Sequence, residues 1–204
     1  MKKSQLLKSL KANGFSKQIL EAFEKTPREK FIPESLVLEA YEDTAQPIGH
    51  GQTISQPYTI ATMLELLQIE KDQKVLEIGS GCGYVLALLS NIVGEKGRVY
   101  GVEIVKELYE KSRENIKDHE DIMVYNRQGT KGLSEKAPFD RILISAALEE
   151  IPNSLVNQLK SDGLIVAPIG KRYEQSLVVF KKNKSKLSVI KKIPGFIFVP
   201  FITD

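Results

Sequence analysis

Strand-like runs that alternate with helical ones predict an α/β fold: a doubly wound, mostly parallel sheet of the Rossmann-like class, with a helical N-terminal arm and an antiparallel hairpin near the C-terminal end. Three observations carry this. Val75-Leu76-Glu77-Ile78 is a short apolar run containing one acid, followed by Gly79, Gly81 and Gly83 and then by an apolar helical pattern, which reads as strand, tight turn and helix start. Further strand-like runs at 98–103, 122–125, 139–145 and 164–169 are separated by helical or loop segments, and such alternation requires parallel pairing through crossovers. Finally, runs at 175–182 and 187–193 are joined by Asn183-Lys184-Ser185-Lys186, a polar turn suited to a hairpin.

In chain order, Leu6, Leu7 and Leu10, then Ile19, Leu20 and Phe23, stand at helical spacing, with Gly14 and Ser16 between them as a break and an N-cap. Two short helices are expected, forming an amphipathic arm packed over the core. Pro27 and Pro33 end the helical pattern, because proline biases the residue before it toward extended geometry. Residues 43–58 have neither a helical nor a strand period and are rich in small polar residues, so they read as a loop. Ile60, Met63, Leu64 and Leu67 then give the apolar face of a helix leading into the glycine turn. Beyond the turn, Val85, Leu86, Leu88, Leu89, Ile92 and Val93 continue a helix, and Arg98 to Glu103 form the second strand. A helix over 106–117, a strand at 122–125, a loop at 126–136, a strand at 139–145, the small turn Ala146-Ala147 and a helix near 152–159 complete the series before 164–169.

A chain of 204 residues suits one domain, and 42% hydrophobic with 27% charged residues is ordinary for a globular protein. The net charge of +3 gathers near the two ends without aromatic interleaving, the pattern of a solvated face, so no nucleic-acid partner is expected. One cysteine, Cys82, and two histidines give neither an intramolecular disulfide nor a zinc spacing. No signal peptide and no run near ~18 apolar residues is visible, so neither export nor a membrane partner is expected; the protein is expected to be cytoplasmic, and a monomer is assumed.

The glycine turn reads as a nucleotide-type pocket, since no Cβ bars a ligand and the free N–H groups at the start of the following helix favour an anionic group. Glu103 follows Gly83 by twenty residues, at the end of the next strand, where a carboxylate can accept hydrogen bonds from two ribose hydroxyls. A dinucleotide fingerprint would place its third glycine at position 84, which is Tyr84 here. Glu77 would repel a pyrophosphate but attract an ammonium or a sulfonium. S-adenosylmethionine carries both cations and no phosphate. Gly79 to Gly83, Glu103, the 126–132 loop and Ser145 to Ala147 all fall at carboxyl ends of strands, so one pocket collects them.

The loop Pro47-Ile48-Gly49-His50-Gly51-Gln52-Thr53-Ile54-Ser55-Gln56-Pro57-Tyr58, the glycine turn, Ala137-Pro138-Phe139-Asp140, Ile151-Pro152 with Gln158-Leu159, and Phe198-Val199-Pro200 together resemble the protein-L-isoaspartate O-methyltransferase family. The resemblance runs from about Pro27 to about Phe201, and Gly51-Gln52-Thr53-Ile54-Ser55 is its most specific part. It implies methyl transfer from S-adenosyl-L-methionine to the α-carboxylate of isoaspartyl residues in damaged proteins and peptides, with S-adenosyl-L-homocysteine as product, initiating repair through a succinimide. It further implies a cofactor site at Glu77, Gly79, Ser80, Gly81, Gly83, Tyr84, Glu103, Ile104, Gln128 and Gly129. The substrate site would comprise Ile48, Gly49, Gln52, Thr53, Ile54, Ala146 and Ala147, with Ser55 as the catalytic residue orienting the acceptor. Residues 1–58 then form the arm and substrate loop, and 59–204 the cofactor-binding core, of a single domain.

Absence of a base agrees with this chemistry, because a carboxylate with a reference pKa near ~4 is already the nucleophile at neutral pH. The chain departs from the family pattern in three places. Arg127-Gln128-Gly129 stands where Gly-Asp-Gly is usual, and the Gln128 amide oxygen is expected to meet the adenine amino group instead. Leu148-Glu149 replaces a Pro-Pro pair near the peptide groove, and Cys82 fills a position often held by serine. A relative acting on a different carboxylate and a binding module without catalysis are the competing readings, while Tyr84 and Glu77 disfavour a nicotinamide oxidoreductase.

Overall fold

The computed structural model describes residues 1–171 and 174–202. The arm holds α1 (Lys3–Ala12) and α2 (Lys17–Lys25), then 3-10 turns at Arg28–Lys30 and Glu34–Glu39. A small hairpin of β1 (Gln46–Gly49) and β2 (Gln52–Ile54) leads into α3 (Pro57–Leu67). The core follows as β3 (Lys74–Ile78), α4 (Tyr84–Val93), β4 (Arg98–Glu103), α5 (Lys106–Asn115), β5 (Ile122–Asn126), β6 (Phe139–Ile144), α6 (Asn153–Gln158), β7 (Leu159–Lys171), β8 (Glu174–Asn183) and β9 (Lys186–Phe196).

The main sheet has the order β5-β4-β3-β6-β7-β8-β9. Pairing is parallel from β5 to β7 and antiparallel from β7 to β9, so the expected doubly wound sheet with an antiparallel tail is the one formed. Alternation along the strands separates two faces. Val75, Val99, Leu143 and Val166 pack toward helices α1 to α4, whereas Leu76, Tyr100, Ile142 and Ile165 pack toward Leu133 and Leu155. After β5 the chain crosses back to place β6 beside β3, and this reversal opens a crevice at the carboxyl ends of β3, β4 and β6.

The arm is tied down by burial of Leu6, Leu10, Ile19 and Phe23 in the first core cluster. Ser16 stands at the N-cap of α2, but its hydroxyl makes no capping bond; it donates to Glu65 Oε2 of α3 at 2.8 Å, joining arm to core. Residues 43–58 also depart from the loop reading. Pro47 pairs with Thr53 and Gln46 with Ile54, and His50 and Gly51 both have positive φ, the geometry of a two-residue hairpin turn in which glycine carries no side-chain penalty. The strand expected at 164–169 begins earlier, with Leu159 opposite Phe139. Among the described residues no helix is long and apolar enough to cross a membrane.

Candidate active site

At the end of β3, the N–H groups of Gly79 and Ser80 donate to the Val102 carbonyl at 2.8 and 3.2 Å, drawing the turn against β4. Gly81 has φ +52°, and a Cβ there would meet Ile48 Cδ1 at 3.1 Å, so both conformation and space favour glycine. Its N–H donates to Glu103 Oε2 at 2.7 Å, while the Val105 N–H donates to Oε1 at 2.9 Å. Each oxygen retains a second acceptor position, which suits the ribose role expected of this acid.

Glu77 lies in β3, buried, one strand away. The Ser145 hydroxyl donates to its Oε1 at 2.7 Å, and its Oε2 has no partner among the described residues. Burial pushes its pKa up to about 8, with the Ser145 bond opposing the shift and the nearby Glu103 adding to it. Such an orphaned buried oxygen fits a ligand cation, because an ammonium would complete its hydrogen bonding and favour its ionised form.

A cavity of about 540 Å³, counting the space open to solvent, lies over this turn. Gly79, Gly81, Glu103, Ile104, Gly129 and Ala146 line it from the core, and Ile48, Gln52 and Thr53 from the hairpin. A second cavity of about 470 Å³ shares Ile48, Thr53, Gly79 and Gly81 with the first and adds Ile54, Ser55, Glu77, Ser80 and Tyr84. Ser55 also borders a further recess formed with Gln56, Thr59, Ile197 and Phe198. It therefore borders both the second glycine-turn cavity and this neighbouring recess.

Four of the expected residues do not line these spaces. Gly49 precedes the hairpin turn, and Gly83 caps α4. The backbone of Ala147 anchors the C-terminal segment: its N–H donates to the Val199 carbonyl at 2.9 Å, and its carbonyl accepts from the Phe201 N–H at 2.8 Å. The Gln128 amide oxygen accepts the Thr130 hydroxyl at 3.4 Å, leaving the neighbouring Gly129 as the wall of the cavity. Tyr84 reaches the inner wall, but its ring is 1% exposed and stacks edge-on with Phe23 and Phe31 of the arm.

Sequence reasoning missed two contributions. Val199, Phe201 and Ile202 cover the first cavity, held by Gln175, whose Oε1 accepts the Phe198 N–H at 2.7 Å. Arg28 lies wholly buried and donates from Nη2 to the Ser55 carbonyl at 2.9 Å; a charged residue in a proline-flanked stretch carries no sequence signal for this. Other motif residues prove structural. Asp140 accepts the Lys74 N–H at 2.8 Å, and Gln158 accepts the Leu133 N–H at 2.6 Å while donating to the Lys131 carbonyl, which fixes the loop after β5.

Among known proteins, a protein-L-isoaspartate O-methyltransferase of Methanothrix thermoacetophila is 43% identical over 99% of this chain and 95% of its own length. One of Ignicoccus hospitalis is 40% identical over 100% and 98%. A solved protein-L-isoaspartate O-methyltransferase superposes with TM-score 0.89 at 31% identity, covering 97% of this chain and 65% of that longer one. A Plasmodium falciparum structure described as the same kind of enzyme, in complex with S-adenosyl-L-homocysteine, gives TM-score 0.85 at 26% identity over 98% of both chains. The family profile of protein-L-isoaspartate(D-aspartate) O-methyltransferases matches residues 1–204. The chain belongs to that family.

Proposed function

We propose that the methyl transfer of this family takes place in the joined cavities, with Glu77, Glu103 and the turn from Gly79 to Gly83 on the cofactor side and Ser55 at the acceptor. The chain is an S-adenosylmethionine-dependent protein-L-isoaspartate O-methyltransferase, and its substrates are isoaspartyl residues of proteins. The observation that carries the assignment of sites is the position of Ser55, which borders both the glycine-turn cavity that holds Glu77 and the neighbouring recess beside Ile197 and Phe198.

The cofactor, when bound, supplies an electrophilic methyl group on a sulfonium. Glu103 would hold the ribose hydroxyls, and Glu77, whose Oε2 is free among the described residues, would hold the amino group. Ser55 donates to the isoaspartyl carboxylate and turns one of its oxygens toward the glycine turn. The acceptor is ionised at neutral pH, so no proton need be removed, and the protein's task is alignment, which can supply ~7–11 kcal/mol. Ile48 and Ile54 exclude water around the carboxylate and so raise its reactivity. The ester formed closes to a succinimide, which can reopen to normal aspartate. Residues 1–58 thus act as arm and acceptor loop over a cofactor core of residues 59–204, within one domain working as a cytoplasmic monomer.

Transfer of labelled methyl groups to two peptides of one sequence, one with isoaspartate and one with aspartate, tests the substrate assignment. Label in the isoaspartyl peptide alone is the expected result. Equal labelling of both, or of neither, would overturn it.

A further inference from the structure

Among the described residues, Arg28 forms no ion pair within 4.0 Å. Its side chain is 0% exposed; among the described residues Nη2 donates to the Ser55 carbonyl at 2.9 Å, and the Tyr84 hydroxyl is a neutral hydrogen-bonding neighbour. Nε and Nη1 are buried and unpartnered among the described residues, and the guanidinium lies over the Tyr84 ring, 5.2 Å from its centre. The groups closest in electrostatic terms are neutral: burial raises the pKa of the Tyr84 hydroxyl, and it pushes the Cys82 thiol up to about 11. Asp43 acts on Arg28 only weakly, and its carboxylate accepts the Tyr58 N–H at 2.8 Å. Glu29 accepts the Tyr41 hydroxyl.

Burying an unpaired charge is costly, so a group of opposite sign that arrives beside it is favoured. The group expected beside Ser55 is an anion. We propose that Arg28 is a positioning residue for the methyl acceptor: hydrogen-bonded to the Ser55 carbonyl, its guanidinium supplies the positive charge that the isoaspartyl α-carboxylate neutralises on docking. This rests on the reading of Ser55 as the acceptor-side residue. The same charge gives the product no hold, because the methyl ester is neutral. It also stabilises the ionised acceptor more than the transition state, in which negative charge leaves the carboxylate. The effect therefore falls on KM more than on kcat.

The test compares two competitive ligands, an isoaspartyl peptide and the same peptide with its α-carboxylate replaced by a carboxamide, on wild type and Arg28→Gln. Affinity for S-adenosyl-L-homocysteine reports the integrity of the cofactor half. Wild type is expected to prefer the carboxylate by roughly tenfold or more and Arg28→Gln by less than about threefold, with KM for the isoaspartyl peptide raised by about the same factor and kcat changed less. Arg28→Lys assayed at pH 6 restores the preference and serves as the decisive variant if Arg28→Gln fails to bind S-adenosyl-L-homocysteine. A preference kept in Arg28→Gln, absent in Arg28→Lys, or missing from wild type would overturn the proposal. Ser55→Ala separates the two levels. Unchanged turnover and peptide binding in that variant would remove the underlying reading, whereas lost turnover with an unaltered preference in Arg28→Gln would remove only the role of Arg28.

Discussion

The Glu103 carboxylate accepts the Gly81 N–H at 2.7 Å, so the acid proposed for the ribose also fixes the glycine turn. Glu103→Ala therefore leaves two donors, Gly81 N–H and Val105 N–H, without their partner as well as removing a ligand contact. A charge-assisted hydrogen bond is worth about 1.5–3 kcal/mol, so affinity for S-adenosyl-L-homocysteine should fall about 10- to 150-fold. Ser55→Ala should show the converse, a loss of turnover with cofactor affinity within about threefold of wild type. Calorimetric titration and steady-state kinetics on both variants check this split.

With the proposed contact to the amino group, Glu77 is expected to link cofactor binding to pH. Its pKa in the folded chain is raised from 4.5 to about 8, so the folded protein holds this proton more tightly than the unfolded one. The corresponding stability is fully present below about pH 4.5, and it is lost as pH rises through about 8. The ligand-free protein should lose more melting temperature between pH 5 and pH 8.5 than Glu77→Gln does. Affinity for S-adenosyl-L-homocysteine should move the other way and rise from pH 6 to pH 8, as ionised Glu77 becomes available to the amino group. Thermal melts and titrations across that range test both signs.

Gly129 leaves no space for a side chain. A Cβ would lie 2.6 Å from Ile78 Cγ2 and 2.8 Å from Phe201 Cζ, pressing on the floor of the sheet and the C-terminal cover together. Overpacking of this kind costs about 1–3 kcal/mol, or ~2–12 °C of melting temperature for a chain of this size. Gly129→Ala should show that loss together with weaker cofactor binding; an unchanged melting curve would mean that Phe201 moves aside freely.

Cys82 is a packing residue. It is buried, its thiol is pushed up to about 11, and its carbonyl accepts the Asn115 side-chain amide at 2.9 Å. Alkylation by iodoacetamide at pH 7.5 should be at least ~100-fold slower in the folded protein than in urea. Cys82→Ser should retain methyl transfer. Rapid native alkylation would contradict the assignment.

The order of strands and helices in the core was legible because parallel strands buried on both faces are written as apolar runs, and β4 begins and ends at the expected Arg98 and Glu103. Pro47, Gly49 and Gly51 hid the β1–β2 hairpin, since they interrupt any period of two, although His50-Gly51 is a usable turn signal. Residues at strand ends, such as Glu77, Gly79, Gly81 and Glu103, could be placed together because topology alone brings them to one edge. Side-chain direction could not: Gln128 and Gly129 are adjacent, yet only Gly129 lines the cavity. Arg28 was invisible for the same reason, as nothing in Pro27-Arg28-Glu29 distinguishes a buried guanidinium from a solvated one.

The most direct measurement is a crystal structure with S-adenosyl-L-homocysteine and an isoaspartyl peptide bound together. The account predicts that the ribose hydroxyls lie on Glu103, that the amino group lies on Glu77 Oε2, and that the isoaspartyl carboxylate lies within hydrogen-bonding reach of the Ser55 hydroxyl, facing the sulfur. A carboxylate held away from Ser55, or a ribose turned away from Glu103, would contradict it.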